Sequence, residues 1–433
     1  MKQHLRIISL LSFLLTITSF AGGFEKNVLW SGKHAGIAGA GASSVEGPDS
    51  LLFNPAGLVD ARNFDITVNA SPTWGRFRAP LYKAIAPALN QQADGKRTLS
   101  PVLGLNAAYK LNEDFALGLG YFVAGGSNVN YGPQDVSSTY GYTSFQPEYR
   151  TLIAMTEASV GAAYRISPAL SFGAAWRMSM VNVDYISASI TTTSMLALRF
   201  TDLKDTTYNG FRVGFKYAPE GGSFGFGVNA RTKIKFKAEG DLSGDLTTAA
   251  NKSLRTALLG SKGSMSSNFP LQIATGAHYN LSEKMRIYGE WVWTQYSINK
   301  NITASGTLRN TTTNAIVYEG NDNTLVTRWN DQHNFRIAAE STELPWALRA
   351  GYVLTTAVVP PEYAKPTLST PGLGHTITLG TGKKFMDDAL SFDTAVEYSW
   401  AHGSYAKDRG TGNLLGDYDS NVMALHLGLG YIF

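Results

Sequence analysis

Six basic side chains crowd two stretches of this chain: Arg212 and Lys216, then Arg231, Lys233, Lys235 and Lys237. Within each stretch the spacing is even, so an extended backbone would present them on one face. Such a basic wall could hold a carboxylate by charge-assisted hydrogen bonds. Glu157, Glu290, Asp393 and Glu397 offer the other outcome, in which the bases pair with acids or with a segment packed against them. Covalent and metal chemistry find less support. The seven histidines, His4, His34, His278, His333, His375, His402 and His426, are scattered, and none belongs to a His-x-x-x-His pair. No Ser/His or Asp/His grouping is recognisable, cysteine is absent, and the glycines fall in extended stretches rather than a phosphate loop. No catalysis, metal or cofactor is expected, and a net charge of +4 does not argue for a nucleic-acid partner.

The elements that must carry these side chains are strands. From Asn421 to Phe433 the residues alternate: Met423, Leu425, Leu427, Leu429, Tyr431 and Phe433 on one face, and Val422, Ala424, His426, Gly428, Gly430 and Ile432 on the other. One face is bulky and oily, the other small or polar, and the chain stops on an aromatic ring. The same parity recurs in Leu390–Trp400, where Asp393 and Glu397 share the inward face, and in Met285–Trp293, where Arg286, Tyr288 and Glu290 do. Read as one strand, Phe224–Phe236 turns Arg231, Lys233 and Lys235 inward with Gly225 and Gly227. Arg or Lys on a lipid-facing midplane position would cost about 2–4 kcal/mol, so confinement of charge to the crowded face points to a transmembrane barrel.

The front end fits export. Lys2, His4 and Arg6 precede an apolar run, Ile7–Phe20, and Ser19 and Ala21 suit a cleavage site, so residues 1–21 read as a signal peptide. No later run is apolar enough for a spanning helix, which leaves strands to cross any membrane. Forty-four glycines, 50 aromatic residues (21 Tyr, 21 Phe, 8 Trp) and a charged fraction of only 16% suit a large barrel with aromatic girdles. Tight turns are expected at 111–114, 166–169, 219–222, 281–284, 342–345 and 386–389. Long polar segments lie at 76–97, 127–150, 187–205, 239–266, 299–330, 359–374 and 402–420. Six turns and seven loops imply 14 antiparallel strands over residues 61–433, with both chain ends at the tight-turn, periplasmic rim. Residues 22–60 do not alternate. Their small-residue run Ala35–Ala42 and the segment Asp49–Leu58 form either a periplasmic tail or a plug in the lumen.

Several of these features together resemble the FadL-type outer-membrane transporters of long-chain fatty acids and other hydrophobic compounds. They are the Gly/Ala-rich start with Asn54-Pro55-Ala56-Gly57-Leu58, the segments Ala158–Trp176 and Gly225–Gly240, the strand Trp346–Tyr352 and the closing Leu427–Phe433. The resemblance implies an all-β, 14-stranded transmembrane barrel whose lumen is blocked by an N-terminal hatch containing Asn54, Pro55 and Ala56. It implies residence in the outer membrane of a Gram-negative bacterium, among its lipid and lipopolysaccharide, with insertion by the barrel-assembly machinery and a monomeric state. It also implies capture of a hydrophobic small molecule at the outer loops and lateral release through a kink in the third strand. Gly125 and Gly126 lie where that kink falls, although they could equally begin a loop. Leu246, Leu254 and Leu258 are spaced as one face of a loop helix that could capture ligand, as are Leu81, Ile85 and Leu89. Arg212, Lys216, Arg231, Lys233 and Lys235 are the candidate substrate-binding bases. One departure concerns the fifth strand, where the family has a basic residue and this chain has Asn182, with Arg177 nearby; this leaves alkanes and aromatics open beside fatty acids. A surface interaction protein on the same barrel, an adhesin or phage receptor, is the alternative function.

Overall fold

The computed structural model describes residues 23, 30–82, 92–321, 325–407, 409 and 414–433. The expected signal peptide, and Ile85 and Leu89 of the expected first loop helix, lie outside them. Fourteen barrel strands follow in order: β1 (Phe64–Ala70 and Thr73–Pro80), β2 (Gln92–Asp94, Thr98–Ser100 and Leu103–Lys110), β3 (Phe115–Pro133), β4 (Glu148–Ser167), β5 (Leu170–Ile190), β6 (Ser194–Tyr217) and β7 (Phe224–Arg231 and Ile234–Thr248). The second half comprises β8 (Lys262–Phe269 and Gln272–Ser282), β9 (Met285–Thr294), β10 (Gln332–Ser341), β11 (Ala347–Thr355), β12 (Gly374–Phe385), β13 (Leu390–Tyr405) and β14 (Gly416–Ile432). Each pairs antiparallel with its neighbours, and β14 returns to β1 from Asp65↔Ile432 to Arg78↔Asp419, closing the ring. Closure leaves no strand edge facing lipid, where an unpaired backbone group would find no water.

All six tight turns fall where the alternation stops. The outward faces carry the expected apolar band: Val213, Phe215, Phe226, Ile287, Val396, Leu429 and their like are exposed, while Arg212, Lys216, Glu290, Glu397 and His426 on the opposite parity are buried. Aromatic rings mark the two rims. Tyr164, Tyr217, Phe224, Tyr279 and Phe433 lie at the tight-turn side, and Trp176, Tyr208, Trp291, Phe335 and Tyr398 lie higher on the strands.

Two expected loops are instead strand. β5 and β6 run on to a short turn at 191–193, and β7 continues through Thr248 into a further strand, Asn251–Leu259. These hairpins stand well above the 9–11 residues that suffice to cross the bilayer. Arg199 and Arg255 converge on Asp245 at 2.6 and 2.8 Å and tie the hairpins together. Inside the ring at this level lies a continuous apolar core that includes Tyr131, Tyr149, Tyr185, Phe200, Phe236, Phe269, Tyr296 and Trp329.

The parity of exposed and buried residues fixes the depth of the bilayer. Replacing lipid-facing Val213 by Arg should destabilise the refolded barrel by about 2–4 kcal/mol in a denaturant titration in vesicles. Arg at exposed Ser243, high on the hairpin, should leave the midpoint unchanged. Equal effects at the two positions would mean that the apolar band does not face lipid.

Candidate functional site

The segment from Trp30 to Ala61 lies within the ring and touches its wall on all sides. Two short helical turns, Gly32–Gly36 and Ser50–Phe53, alternate with 3-10 turns at Gly47–Asp49 and Pro55–Asp60. Asn54, Pro55 and Ala56 each have a distinct physical job. The Asn54 side-chain oxygen accepts from Ala56 N at 3.1 Å and caps the last turn, and Pro55 occupies its first position, where no N–H is needed. The Asn54 amide donates to Ala42 O at 2.7 Å and to Phe215 O of β6 at 2.9 Å, so one side chain joins two parts of the segment to the wall. The wall makes room with glycine. A Cβ at Gly214 would overlap the Asn54 amide, and one at Gly173 would overlap the Pro55 carbonyl.

Buried charge fastens this segment all round. Arg177 and Arg212 meet Glu157 at 2.7 and 3.6 Å, and Arg212 donates onward to Leu51 O. Lys216 reaches Val45 O and Asp60, both at 2.8 Å, and Arg165 meets Asp60 at 2.9 Å. Farther round the wall, on β9 and β10, Glu290 accepts from Ala42 N at 2.8 Å and pairs with Arg336 at 2.6 Å, while Arg336 donates to Gly39 O. Asp49 gathers Ser31, Thr67, Asn69 and Asn106 between 2.6 and 3.2 Å. Arg349 is held by Glu340 and Asp393.

The basic wall is therefore divided. Arg212 and Lys216 hold the inner segment, and Arg231 is buried beside Glu290 and Arg336 around a cavity of about 20 Å³. Lys233 and Lys235 do not join them. β7 breaks at Thr232 and Lys233, its parity inverts, and Ile234 and Phe236 become buried while Lys233, Lys235 and Lys237 are exposed on the outer face. The leucines also depart from expectation. The 244–260 region is a β-hairpin, and there Leu246 packs partly on the core, Leu258 is buried in it, and Leu254 is 55% exposed. They share no face.

In β3 the strand does not end at Gly125 and Gly126 but runs through them to Pro133. Ala124 bulges from the ladder with β4, and Gly126 has φ 152°, which favours glycine. The ladder between β2 and β3 stops at Gly104↔Phe122. Above it Thr98–Ser100 keeps its ladder with β1 alone, Pro101 has no N–H to give, and Val102 O accepts from Ser71 N at 2.7 Å. Contact with β3 resumes only where Thr98 Oγ1 donates to Asn128 O at 3.0 Å and Lys96 N to Asn130 O at 2.7 Å. All eight residues Phe122–Val129 are buried, where a strand with one face to lipid would alternate. Trp30, Val102, Val123 and Ala154 pack together beside this window.

Sequence reading named His426 and Glu397 separately but missed Ser71 and that the three come together across the β14–β1 seam. Ser71 Oγ lies 2.8 Å from His426 Nδ1, and His426 Nε2 lies 3.0 Å from Glu397. Ser399 donates to the same carboxylate at 2.9 Å. All are buried, and the chain of bonds clamps the closing strands.

The family model described as outer membrane protein transport protein (OMPP1/FadL/TodX) matches residues 12–433. The chain belongs to this family. It is a non-enzymatic FadL/TodX-type channel for hydrophobic compounds in the outer membrane of Gram-negative bacteria. Solved structures show the same fold. A FadL homologue of Pseudomonas aeruginosa superposes with TM-score 0.74 at 14% identity, covering 95% of this chain and 99% of that one. The toluene transporter TodX of Pseudomonas putida gives 0.73 at 13%, covering 97% and 99%. The toluene transporter TbuX of Ralstonia pickettii gives 0.65 at 14%, covering 98% and 100%. No curated protein sequence matches the chain.

The glycine cradle gives a direct test of the inner segment as a FadL/TodX hatch. Gly214→Val should displace Asn54 and open the lumen, read as ion conductance in a planar bilayer. Gly289→Val, where a Cβ meets nothing, should stay closed. A sealed Gly214→Val barrel would show that this contact does not hold the lumen shut.

Proposed function

We propose that this channel takes up uncharged hydrophobic molecules and releases them sideways into the bilayer through the window between β2 and β3. In this reading residues 1–21 are removed on export, 22–60 form the hatch with Asn54, Pro55 and Ala56 as its anchor, and 61–433 form the channel wall. The observation that carries it is the premature end of the β2–β3 ladder at Gly104↔Phe122, beside the Ala124 bulge and Gly125-Gly126. A window in the wall of a hydrophobe channel is useful because the ligand then passes from apolar lumen to apolar lipid without meeting water. Each Å² of apolar surface kept dry is worth about 25 cal/mol.

The axial route is less suited. The space below the hatch, about 1350 Å³, is lined by Glu46, Asp60, Glu113, Arg165, Arg286 and Glu340 among others. An aromatic or alkane would have to leave an apolar core and cross this charged vestibule. The upper lumen offers the apolar stage, rich in Tyr, Phe and Trp rings.

Charge selects the substrate class. Arg177, Arg212, Lys216, Arg336 and Arg349 each meet a carboxylate, and three of them also hold hatch carbonyls. A fatty-acid head group would have to displace one of these partners. Neutral hydrocarbons need no such exchange, and two of the structural relatives carry toluene in their names.

Replacing Gly125 and Gly126 together by Val should favour a regular strand and close the window, since β-branched residues suit the pleat and resist the bulge. The variant should insert and resist heat like the parent, yet lose uptake of radiolabelled toluene by cells lacking other such channels. Normal uptake by a variant with a straight, fully paired β3 would establish an axial exit instead. In the parent, toluene should outcompete decanoate; the reverse preference would refute the neutral-substrate assignment.

A further inference from the structure

We propose that the outer surface of β6–β8 holds a phosphorylated glycolipid of the outer leaflet, with Lys233 and Lys235 as its phosphate ligands. The proposal is independent of what the channel carries. It begins with the break in β7. Below the break, Phe226 on β7 and Phe211, Val213 and Phe215 on β6 form an exposed apolar surface for acyl chains. At the break, Thr232 N donates to Phe211 O, which sets Lys233 just above the Phe211 ring. The stacked pair Trp176 and Tyr208, with ring centroids 6.5 Å apart, lies at this height on β5 and β6 and marks the interface. The inverted parity then turns Lys233, Lys235 and Lys237 outward at the level where a lipid changes from chains to phosphate.

Their neighbours complete an amphipathic site. Lys235 lies opposite Asn268 and Lys237 opposite Ser266 on β8, with half-exposed Ser264 next along the strand. These hydroxyls suit sugar and phosphate oxygens. Farther out, Lys237 is neutralised by Glu239 at 2.6 Å and Lys262 by Asp241 at 2.6 Å. Lys233 and Lys235 form no ion pair among the described residues. At comparable height, Arg76 on β1 meets Asp94 at 3.3 Å and His402 on β13 meets Asp419 at 2.7 Å. Unmatched lysine at the interface, above an apolar strip and beside hydroxyls, fits a lipid whose head carries phosphate and sugar.

The test uses the full-length protein in detergent. Binding of purified lipid A would be followed by native mass spectrometry and by its effect on unfolding temperature. Lys233→Gln/Lys235→Gln should weaken binding on the order of tenfold, and Lys233→Glu/Lys235→Glu should weaken it further. Lys384→Glu, at the opposite rim, should bind like the parent. Heat-modified mobility in gels would confirm that each variant is folded. Dephosphorylated lipid A should bind the parent as weakly as lipid A binds the double variant. Unchanged affinity in the folded double variants would overturn the proposal, as would equal loss in Lys384→Glu. Equal binding of the dephosphorylated lipid would also overturn it. Inorganic phosphate that displaces the lipid at millimolar concentration would assign the lysines to a free anion instead.

Discussion

One constraint governs the molecule: at membrane depth every backbone N–H and C=O must be paired within the protein. A sheet meets it only by closing, and closing fixes the rest. Fourteen strands enclose a lumen too wide for wall side chains alone to fill, so another part of the chain fills it. That part, Trp30–Ala61, is made of short turns whose own backbone groups are incompletely paired. The wall supplies the missing partners through Glu290, Arg212, Lys216, Arg336 and Thr378, while Phe215 O takes the Asn54 side-chain amide. The same inward parity that keeps charge away from lipid thus serves to hold the hatch.

The nature of this fastening matters for a channel. Apolar packing alone would tolerate sliding, whereas buried ion pairs and bonds to named carbonyls specify one seating. Losing one partner of such a buried pair costs about 3–5 kcal/mol. Glu157 with two arginines on β4–β6 and Glu290 with Arg336 on β9–β10 sit on separate stretches of the wall, so the hatch is fixed at more than one point around the ring. The glycines at 173 and 214 let its backbone approach β5 and β6 closely enough for Asn54 to bond to Phe215 O of β6. The ring relaxes its own rule between β2 and β3. There Pro101 has no N–H, Val102 turns its carbonyl to β1, and buried side chains take the place of a ladder.

At the outer rim the environment reverses. Within the bilayer the outside is apolar and the lumen, occupied by the hatch, is polar. Above it the outside is water and head groups, and the inside is an apolar core of loops and strand extensions. A strand whose polar–apolar alternation continues unchanged across this boundary must exchange its faces, and a one-residue irregularity does so at once. β7 makes the exchange at Thr232–Lys233. β6 makes its own near Tyr208, where its register with β5 shifts between Gly210 and Thr207.

The alternation of side chains is a local property, so the sequence determined by itself the strand count, the tight turns, the lipid-facing set and the antiparallel barrel. Its small-residue start also set residues 22–60 apart from the strand pattern, leaving a tail or a plug open until the contacts of Trp30–Ala61 with the wall decided it. Three features depended on contacts between residues far apart in the chain. Arg231-Thr232-Lys233-Ile234-Lys235-Phe236-Lys237 alternates without fault, so no local signal says that the faces exchange in its middle; only the core waiting for Ile234 and Phe236 decides it. Leu246, Leu254 and Leu258 satisfy a helical spacing, and pairing of Leu246's strand with β6 and with Asn251–Leu259 overrode it. Which base meets which acid, and that Ser71 meets His426 across 355 positions, followed from ring closure, because only closure brings β14 beside β1.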